Sequence, residues 1–439
     1  MNTSAVYRPS RIEYAATIAA IWALAVVTFR LPGRDDPSAA SSLDLLALAK
    51  LAIRSAVFAF FLFAWRWNPD TGAKLLVGRA FFPFYLFIAW AFVSVLWSPL
   101  KTVSLGQALG LAAQVTLAAW IALAFRVSAN AALLIRQLWA ALLVCTVVIL
   151  TVHAVSPELS GLDRELELAG ANGFVRPTAA GSTAGLGLTL TILAPRLIPG
   201  VTLGPGVLVA LPAHAALLFL ANSRTAWAMT LAVSALAFVR FYPSVVQART
   251  LTLVGLAAAV LVLVDPGFSL QEDSSRAGAE YLSRGQSAEQ LSRVSGRMEM
   301  WQAVWGQFEM SPIIGHGYFV SSASGELDVW DGPANHTAHN IGLQVLVSTG
   351  VIGAVLFVAA TARVVSEVFV LRRGDSIARG AFAFTALLGV WYAGWSQTCI
   401  SFLGPILPES VAFFVVLGVA VGQAVRTRTL SARRRVVTP

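Results

Sequence analysis

The sequence is poor in charged residues and in cysteine. Only 12% of its 439 residues are Asp, Glu, Lys or Arg, while 57% are hydrophobic and the mean hydropathy is +0.72. This composition excludes an ordinary soluble globular protein and is typical of a chain that crosses a membrane many times. The two cysteines, Cys145 and Cys399, both lie inside apolar runs, so the sequence predicts neither a disulfide framework nor a cysteine metal site.

Acidic residues are scarcer than basic ones, with 22 Asp and Glu against 31 Lys and Arg, and the formal net charge is +9. A basic protein can bind nucleic acid, but such proteins cluster Lys and Arg with aromatic residues on a soluble face. Here the basic residues fall between apolar runs, where they orient a membrane protein. We therefore predict no nucleic-acid partner, and membrane lipid as the surroundings of the chain.

Twelve apolar runs are candidates for crossing a bilayer, for which about 17 to 25 residues are needed. They lie near residues 13–29, 43–65, 80–98, 103–125, 131–152, 178–198, 203–221, 225–240, 250–264, 341–370, 380–402 and 405–425. The first run lacks a small-residue cleavage pattern, so we expect it to remain as an anchor and not to be removed as a signal peptide. The sequence thus predicts an all-α polytopic membrane protein with about 12 transmembrane helices.

The distribution of Lys and Arg predicts which side of the membrane each loop faces. With the N-terminus in the cytoplasm, most of the basic residues fall in cytoplasmic loops and ends, in agreement with the positive-inside rule. Both termini are then cytoplasmic, and the two long segments 153–177 and 265–340 are periplasmic. We expect the second segment to carry short helices, including one around Met298 to Met310 that is either an amphipathic helix on the membrane or over a cavity, or a short helix packed on the transmembrane body.

A histidine begins the apolar run that follows the long loop. His339 and Asn340 precede Ile341 at the predicted water-facing end of a span. An imidazole titrates near neutral pH and can therefore carry a proton at such a junction. The alternative is an ordinary helix start, in which His339 is a solvated end residue and Asn340 caps the helix.

Arginines near the predicted periplasmic ends of spans are candidates for binding a diphosphate. Arg224 lies in a very short turn between two apolar runs, Arg297 lies near the start of a predicted helix, and Arg176 lies at the mouth of another span. A guanidinium is a planar, permanently charged fork, and a helix N-terminus adds partial positive charge. Structural pairing or interfacial anchoring is the alternative for each. Arg293, one helical turn before Arg297, is a further candidate.

Two other histidines lie near these residues in the sequence. His316 stands between two glycines, and His336 precedes His339 by three residues. The pair His336 and His339 has no carboxylate at a suitable spacing, and the sequence lacks the Asp-x-Asp motif of metal-dependent sugar transferases. We therefore predict no metal and no cofactor, and keep His316 as a candidate substrate contact.

Several short motifs occur in a fixed order between residues 205 and 360, with a weaker part at 172–186. They are Ser223-Arg224 in a turn, Arg297 followed by Trp301, Gly315 and Gly317 around His316, and His339-Asn340 followed by Gly350 and Gly353. This series resembles the signature of the bacterial O-antigen ligase family, which is part of the O-antigen ligase and polymerase superfamily.

The resemblance implies a glycosyltransferase of the bacterial inner membrane with its active site facing the periplasm. It would move O-antigen polysaccharide from undecaprenyl diphosphate to a sugar hydroxyl of the lipid A–core oligosaccharide, with inversion and without a metal. Arg224, Arg297 and Arg176 would bind the lipid diphosphate, with Arg293, Asn340 and His316 as further contacts. His339 would be the catalytic residue, because it would accept or orient the proton of the attacking hydroxyl.

The resemblance also divides the chain into three parts. Residues 1–204 would form N-terminal transmembrane helices, residues 205–360 the catalytic region with the periplasmic loop 265–340, and residues 361–439 the C-terminal helices and a basic tail. An O-antigen polymerase or a protein O-oligosaccharyltransferase of the same superfamily is the nearest alternative. A multi-span transporter is the alternative from another class, although the sequence shows no symmetry of two halves.

Overall fold

The computed structural model describes residues 7–26, 29, 45–162, 173–247, 297–320, 338–399 and 401–437. The regular secondary structure of these residues is helical, and a single helical turn at Pro157–Ser160 adds to the longer helices. The longer helices are α1 (Arg11–Val26), α2 (Leu45–Trp67), α3 (Thr71–Val93), α4 (Lys101–Ala124), α5 (Ser128–Val155), α6 (Pro177–Leu197), α7 (Gly206–Leu220), α8 (Arg224–Phe241), α9 (Arg297–Met310), α10 (Ile341–Val370), α11 (Ser376–Trp395) and α12 (Pro408–Val437).

Seven of the described helices, α2 to α5 and α10 to α12, are long and apolar enough to cross a membrane, and α7 is apolar but shorter. The prediction of an all-α polytopic membrane protein is therefore confirmed. Each predicted apolar run overlaps a described helix except the run 250–264, which lies outside the described residues together with most of the loop 265–340. The number of 12 spans therefore stays a prediction.

Helix α3 extends beyond the predicted third apolar run, which lies near residues 80–98. The helix begins at Thr71, where Asp70 caps it by accepting a hydrogen bond from the Ala73 amide at 2.9 Å. A good N-cap starts a helix before the apolar run begins, and a long Lys side chain is tolerated near the end of a span.

Helices α4 and α12 form the centre of the bundle. In their most apolar windows, 89% of α4 and 94% of α12 are buried. Gly418 and Gly422 of α12 lie against Ala118 and Ala122 of α4, and a Cβ atom on Gly418 would come within 2.6 Å of the Ala118 carbonyl oxygen. Small residues thus let the two parallel backbones approach closely, as is typical of membrane helices.

Hydrogen bonds between helices show that α3 and α10 are antiparallel. Trp90 of α3 donates from Nε1 to the Thr349 carbonyl at 2.9 Å, and Arg363 of α10 donates from Nε to the Arg79 carbonyl at 3.3 Å. Among the described helices, α6 and α11 are antiparallel in the same way, whereas α4 and α12 run parallel, so the bundle has two ends. The end where α4, α6, α8, α10 and α12 begin is termed the motif end, and the opposite end is termed the basic end.

Ion pairs connect helices at the basic end. Arg126, which follows α4, lies 2.5 Å from the carboxylate of Asp70 at the start of α3. The buried Glu367 of α10 pairs with Arg363 of the same helix at 2.7 Å and with Arg428 of α12 at 2.8 Å. A buried carboxylate requires such partners, and here the pairing fixes α10 against α12.

Candidate functional site

Arg224 opens α8 directly after a tight turn. Helix α7 ends at Leu220, so three residues make the connection. Asn222 has a φ of 43°, a left-handed conformation that asparagine adopts more readily than most residues. Ser223 is extended and only 5% exposed, and its carbonyl accepts from the Trp227 amide at 2.9 Å. Arg224 is therefore held at a helix N-terminus, where backbone N–H groups carry partial positive charge.

Arg176 occupies the corresponding place on the neighbouring helix, immediately before α6. Helices α6 and α8 are parallel and very close near their starts. A Cβ atom on Gly181 would lie 2.5 Å from Cβ of Ser223, and one on Gly185 would lie 2.6 Å from Oγ1 of Thr230. Two adjacent parallel helices thus begin at the motif end, each with an arginine at its first turn.

His339 lies at the same end, just before α10. Its φ of 44° places it in the left-handed region, which costs free energy for a residue with a side chain. The neighbouring residue holds this turn, because the Ala338 amide donates to Oε1 of Gln344 at 3.0 Å and the Ala338 carbonyl accepts from Nε1 of Trp301 at 2.9 Å. His339 as a whole is half-buried, and its Nδ1 atom is buried.

Asn340 caps α10. Its Oδ1 accepts hydrogen bonds from the Gly342 and Leu343 amides at 2.9 and 3.2 Å, and its Nδ2 donates to the Gln397 carbonyl at 3.5 Å. The helix-start interpretation of Asn340 is therefore confirmed, and its polar atoms already have structural partners.

The segment after α11 joins the start of α10 to the start of α8. The Ile341 amide donates to the Ser396 carbonyl at 3.1 Å. Two residues later, Oγ1 of Thr398 donates to Oγ1 of Thr225, the residue after Arg224, at 2.9 Å. Together with the close approach of α6 and α8, these contacts bring the backbone segments of all three candidate side chains to one end of the bundle.

Arg297 begins α9, as the sequence predicted, and a helix is present over the residues where an amphipathic one was expected. Met300 and Val304 of α9 pack against Val347 of α10, in a cluster that also contains Ala338. The start of α9 therefore lies beside the motif end. The structure describes the backbone of Arg297 and not its side chain, and Arg293 and His336 lie outside the described residues.

Gly350 of the sequence motif interrupts α10, and a loop is hydrogen-bonded to the helix at this position. Gly350 has a φ of 63° and a ψ of −169° inside the helix. The break leaves backbone carbonyls without partners in the helix, and the loop supplies hydrogen-bond donors for them. The Gly317 amide donates to the Ser348 carbonyl at 2.9 Å. In the other direction, the Val351 amide donates to the Pro312 carbonyl at 2.8 Å. A Cβ atom on Gly350 would come within 2.2 Å of the Ile313 carbonyl oxygen.

His316 belongs to this loop. Its backbone amide donates to the Val347 carbonyl at 3.0 Å, and its Nε2 lies 2.7 Å from the Gln307 carbonyl oxygen. The imidazole therefore donates to that oxygen and helps to fix the loop below α9. The described contacts give His316 a role in the helix break, and its proposed contact with substrate stays untested.

Two polar residues at the motif end were missed by the sequence analysis. Lys101 is the exposed first residue of α4. Glu409 lies in the first turn of α12 and is 1% exposed, with the hydroxyl of Tyr392 donating to its backbone carbonyl at 2.6 Å and Ser182 of α6 against its carboxylate. A carboxylate at the start of an apolar run was the signal, because such residues tend to face the interior of a bundle.

The arrangement favours an anion over a metal ion. Basic residues begin α4, α6, α8 and α9, and helix N-termini themselves bind anions. Among the described residues, no group of three or more His, Cys, Asp or Glu side chains lies close enough together to hold a metal ion. What the site can do is bind a multiply charged anion beside an imidazole.

A family model described as O-antigen ligase matches residues 205–358, roughly a third of the chain. The matched segment begins beside α7, ends within α10, and contains six of the seven candidate residues, namely Arg224, Arg293, Arg297, His316, His339 and Asn340. Arg176 lies outside it. A comparison of the chain with curated proteins finds no match.

Proposed function

The chain carries an O-antigen ligase family domain at residues 205–358, and from this premise we propose its reaction. It transfers O-antigen polysaccharide from undecaprenyl diphosphate to a sugar hydroxyl of the lipid A–core oligosaccharide, on the periplasmic face of the inner membrane. The observation that supports the proposal is that the backbone segments of Arg176, Arg224 and His339, at the starts of α6, α8 and α10, lie at one end of the bundle.

The positions of the arginines support a diphosphate ligand. A cation at a helix N-terminus is locally unfavourable, whereas an anion there gains about 0.3–1 kcal/mol from the helix dipole. Arg176 and Arg224 stand at such positions on adjacent parallel helices, so their positive charge adds to that of the helix starts. A bound diphosphate would offset this accumulation, and its oxygens match the planar forks of the guanidinium groups.

The same groups assist departure of the diphosphate. As the acceptor hydroxyl oxygen forms a bond to the anomeric carbon, the bond from that carbon to the diphosphate oxygen breaks and its electron pair stays on the diphosphate. Arg176, Arg224 and Arg297 stabilise this growing negative charge, and a single well-placed donor is typically worth about 3–4 kcal/mol in the transition state. Attack from the side opposite the leaving group inverts the anomeric centre.

His339 takes the proton that the acceptor hydroxyl loses. Imidazole is mostly neutral at pH 7 when unperturbed, and general base catalysis by a positioned group contributes about 10²–10⁴-fold. The hydrogen bonds on both sides of Ala338 fix the backbone next to His339, which favours a defined position of the ring. Neutralisation by arginine makes a divalent cation unnecessary in this mechanism.

Deletion of the gene in its native host tests the proposal. The expected result is lipopolysaccharide with a bare core, while the polymer accumulates on undecaprenyl diphosphate. Core that bears a single repeat unit would instead identify a polymerase. Unchanged lipopolysaccharide with loss of glycan from a surface protein would identify a protein O-oligosaccharyltransferase. Solute accumulation by purified protein in vesicles without any sugar transfer would identify a transporter.

Thiol labelling tests the proposed sidedness. In a Cys399→Ser background, Val155→Cys places an accessible thiol at the motif end, because Val155 is 80% exposed at the end of α5. Ser376→Cys places one at the basic end, at the start of α11. A membrane-impermeant maleimide applied to cells with a permeabilised outer membrane should label the first variant only. Labelling of the second variant alone would contradict a periplasmic site.

A further inference from the structure

A cleft of about 930 Å³ opens at the basic end, far from the candidate site. It lies between the end of α10, the following turn and the last part of α12. Its walls combine apolar side chains, Phe369 and Val370, with three arginines, Arg372, Arg373 and Arg428. A cleft whose lining combines apolar and cationic side chains suits the border between lipid chains and lipid headgroups.

The charges around the cleft do not cancel. Arg428 is 2.8 Å from Glu367, and that carboxylate is shared with Arg363 at 2.7 Å. Among the described residues, neither Arg372 nor Arg373 forms an ion pair. Three arginines line the cleft, and of these only Arg428 is paired with a carboxylate among the described residues, so the cleft carries an excess of positive charge.

Aromatic rings hold one of these cations in place. The guanidinium of Arg372 lies 5.8 Å from the ring centroid of Phe369 and 5.7 Å from that of Phe382. These distances are within the range of cation–π attraction, so part of the side chain is ordered before any ligand binds. An ordered cation loses less entropy when an anion binds to it.

An exposed apolar stripe on α10 leads to the cleft. Its members recur at helical spacing and are 46–64% exposed, and they are Val351, Val355, Val358, Val365 and Phe369. Such a stripe faces lipid chains when a helix crosses a membrane. The stripe ends at the cleft, so an acyl chain along α10 would place its headgroup among the arginines.

We propose that this cleft binds one anionic phospholipid, with its phosphate between Arg372, Arg373 and Arg428 and an acyl chain along the stripe of α10. The positive charge of the cleft selects an anionic headgroup. The apolar stripe contacts an acyl chain, which a soluble phosphate lacks. The bound lipid offsets the excess positive charge between α10 and α12, the two helices that Glu367 also connects. This inference is independent of the sugar-transfer reaction.

The test is native mass spectrometry of the full-length protein with defined lipids. Dioleoyl phosphatidylglycerol should bind at least about tenfold more tightly than dioleoyl phosphatidylcholine. Arg372→Gln with Arg373→Gln should weaken phosphatidylglycerol about 30-fold, which corresponds to about 2 kcal/mol for two charges near a membrane surface. Arg66→Gln with Arg240→Gln is the matched control, since it removes the same charge from exposed positions at the same end and should change the affinity less than twofold.

Three further binding measurements could contradict the proposal. The single variant Arg373→Gln should weaken phosphatidylglycerol binding about fivefold. It tests the proposal even if the double variant unfolds because the aromatic contacts of Arg372 are lost. Inorganic phosphate and dihexanoyl phosphatidylglycerol should compete poorly with the long-chain lipid. Equal affinity for both long-chain lipids, an equal loss in the control variant, or displacement by millimolar inorganic phosphate would each overturn the proposal.

Discussion

The two ends of the bundle differ in the charged residues at several of their helix starts, although Glu409 lies in the first turn of α12 at the motif end and Arg11 begins α1 at the basic end. At the basic end, α1 has Glu13 in its first turn, and α3 and α11 are capped by Asp70 and Asp375. These negative charges interact favourably with the positive ends of the helix dipoles. Asp70 and Asp375 also form ion pairs, with Arg126 and Arg426 respectively. At the motif end, Arg176 and Arg224 stand at helix starts, against the dipole.

This difference separates arginines that hold the fold together from arginines that suit a ligand. An arginine that meets a carboxylate at a helix cap connects two helices and needs nothing further. An arginine at a helix start adds charge to a place that is already positive, and a bound anion would stabilise that arrangement. The comparison predicts that loss of a motif-end arginine damages activity, and that loss of a basic-end pair damages stability.

The largest effect is expected for Arg224→Ala, which removes a guanidinium that, in the proposed reaction, binds the diphosphate and stabilises its departure. Sugar transfer should fall by at least about 10³-fold, because both binding and the transition state lose a charged donor. The measurement is transfer by purified protein in vesicles that contain the lipid-linked donor and lipid A–core.

Arg240→Ala is the matched control, because Arg240 lies in the last turn of the same helix at the basic end. Its rate should stay within about twofold of that of the unaltered protein. If both variants lose activity equally, or if Arg224→Ala retains full transfer, the assigned difference between the two ends is wrong.

A smaller loss is expected at His339, where the backbone and the imidazole must be tested separately. Asparagine tolerates the φ of 44° at this position and has no imidazole. His339→Asn should therefore keep the helix start intact and lose about 10²-fold in kcat through the missing base, with little change in KM. A rate that has lost its dependence on pH near neutrality supports the role, whereas an unchanged rate excludes it.

At the basic end, Asp70→Asn should lower stability and leave sugar transfer nearly unchanged. Burial by itself raises the pKa of Asp70, but hydrogen bonds from the Ala73 amide and from Arg126, with the charge of Arg126, outweigh it, so the net pKa lies below the usual value. A lowered folded-state pKa stabilises the protein above the unfolded pKa of about 3.9, and this contribution is lost as the pH falls through the folded value.

The expected loss for Asp70→Asn is about 1–2 kcal/mol in the free energy of unfolding at pH 7, since a cap and a partly buried ion pair are both weakened. Unfolding in mixed micelles at several pH values measures it. The difference between the variant and the unaltered protein should shrink below about pH 4. A gap that stays constant with pH would show that the carboxylate charge is not what stabilises this end.

The sequence predicted the helical membrane fold because long apolar runs have few other structures available in a bilayer. It also predicted the helix starts at Arg297 and Asn340, which depend on local patterns. It did not predict that Gly350 breaks α10 or that His316 is bonded to the Gln307 carbonyl, since both depend on contacts between distant segments. Lys101 was missed because only the parallel arrangement of helices reveals that several basic helix starts share one end.

The smallest effect is expected on removal of divalent metal ions. In the proposed reaction, the charge of the leaving diphosphate is neutralised by the guanidinium groups and helix starts of the motif end. Transfer by purified protein should therefore change by less than about twofold after dialysis against a chelator, and added Mg²⁺ should not raise it. A loss of more than about tenfold that Mg²⁺ restores would show that the arginines are insufficient. The basic helix starts would then need another explanation, because a second cation beside them would increase the repulsion that the diphosphate has to offset.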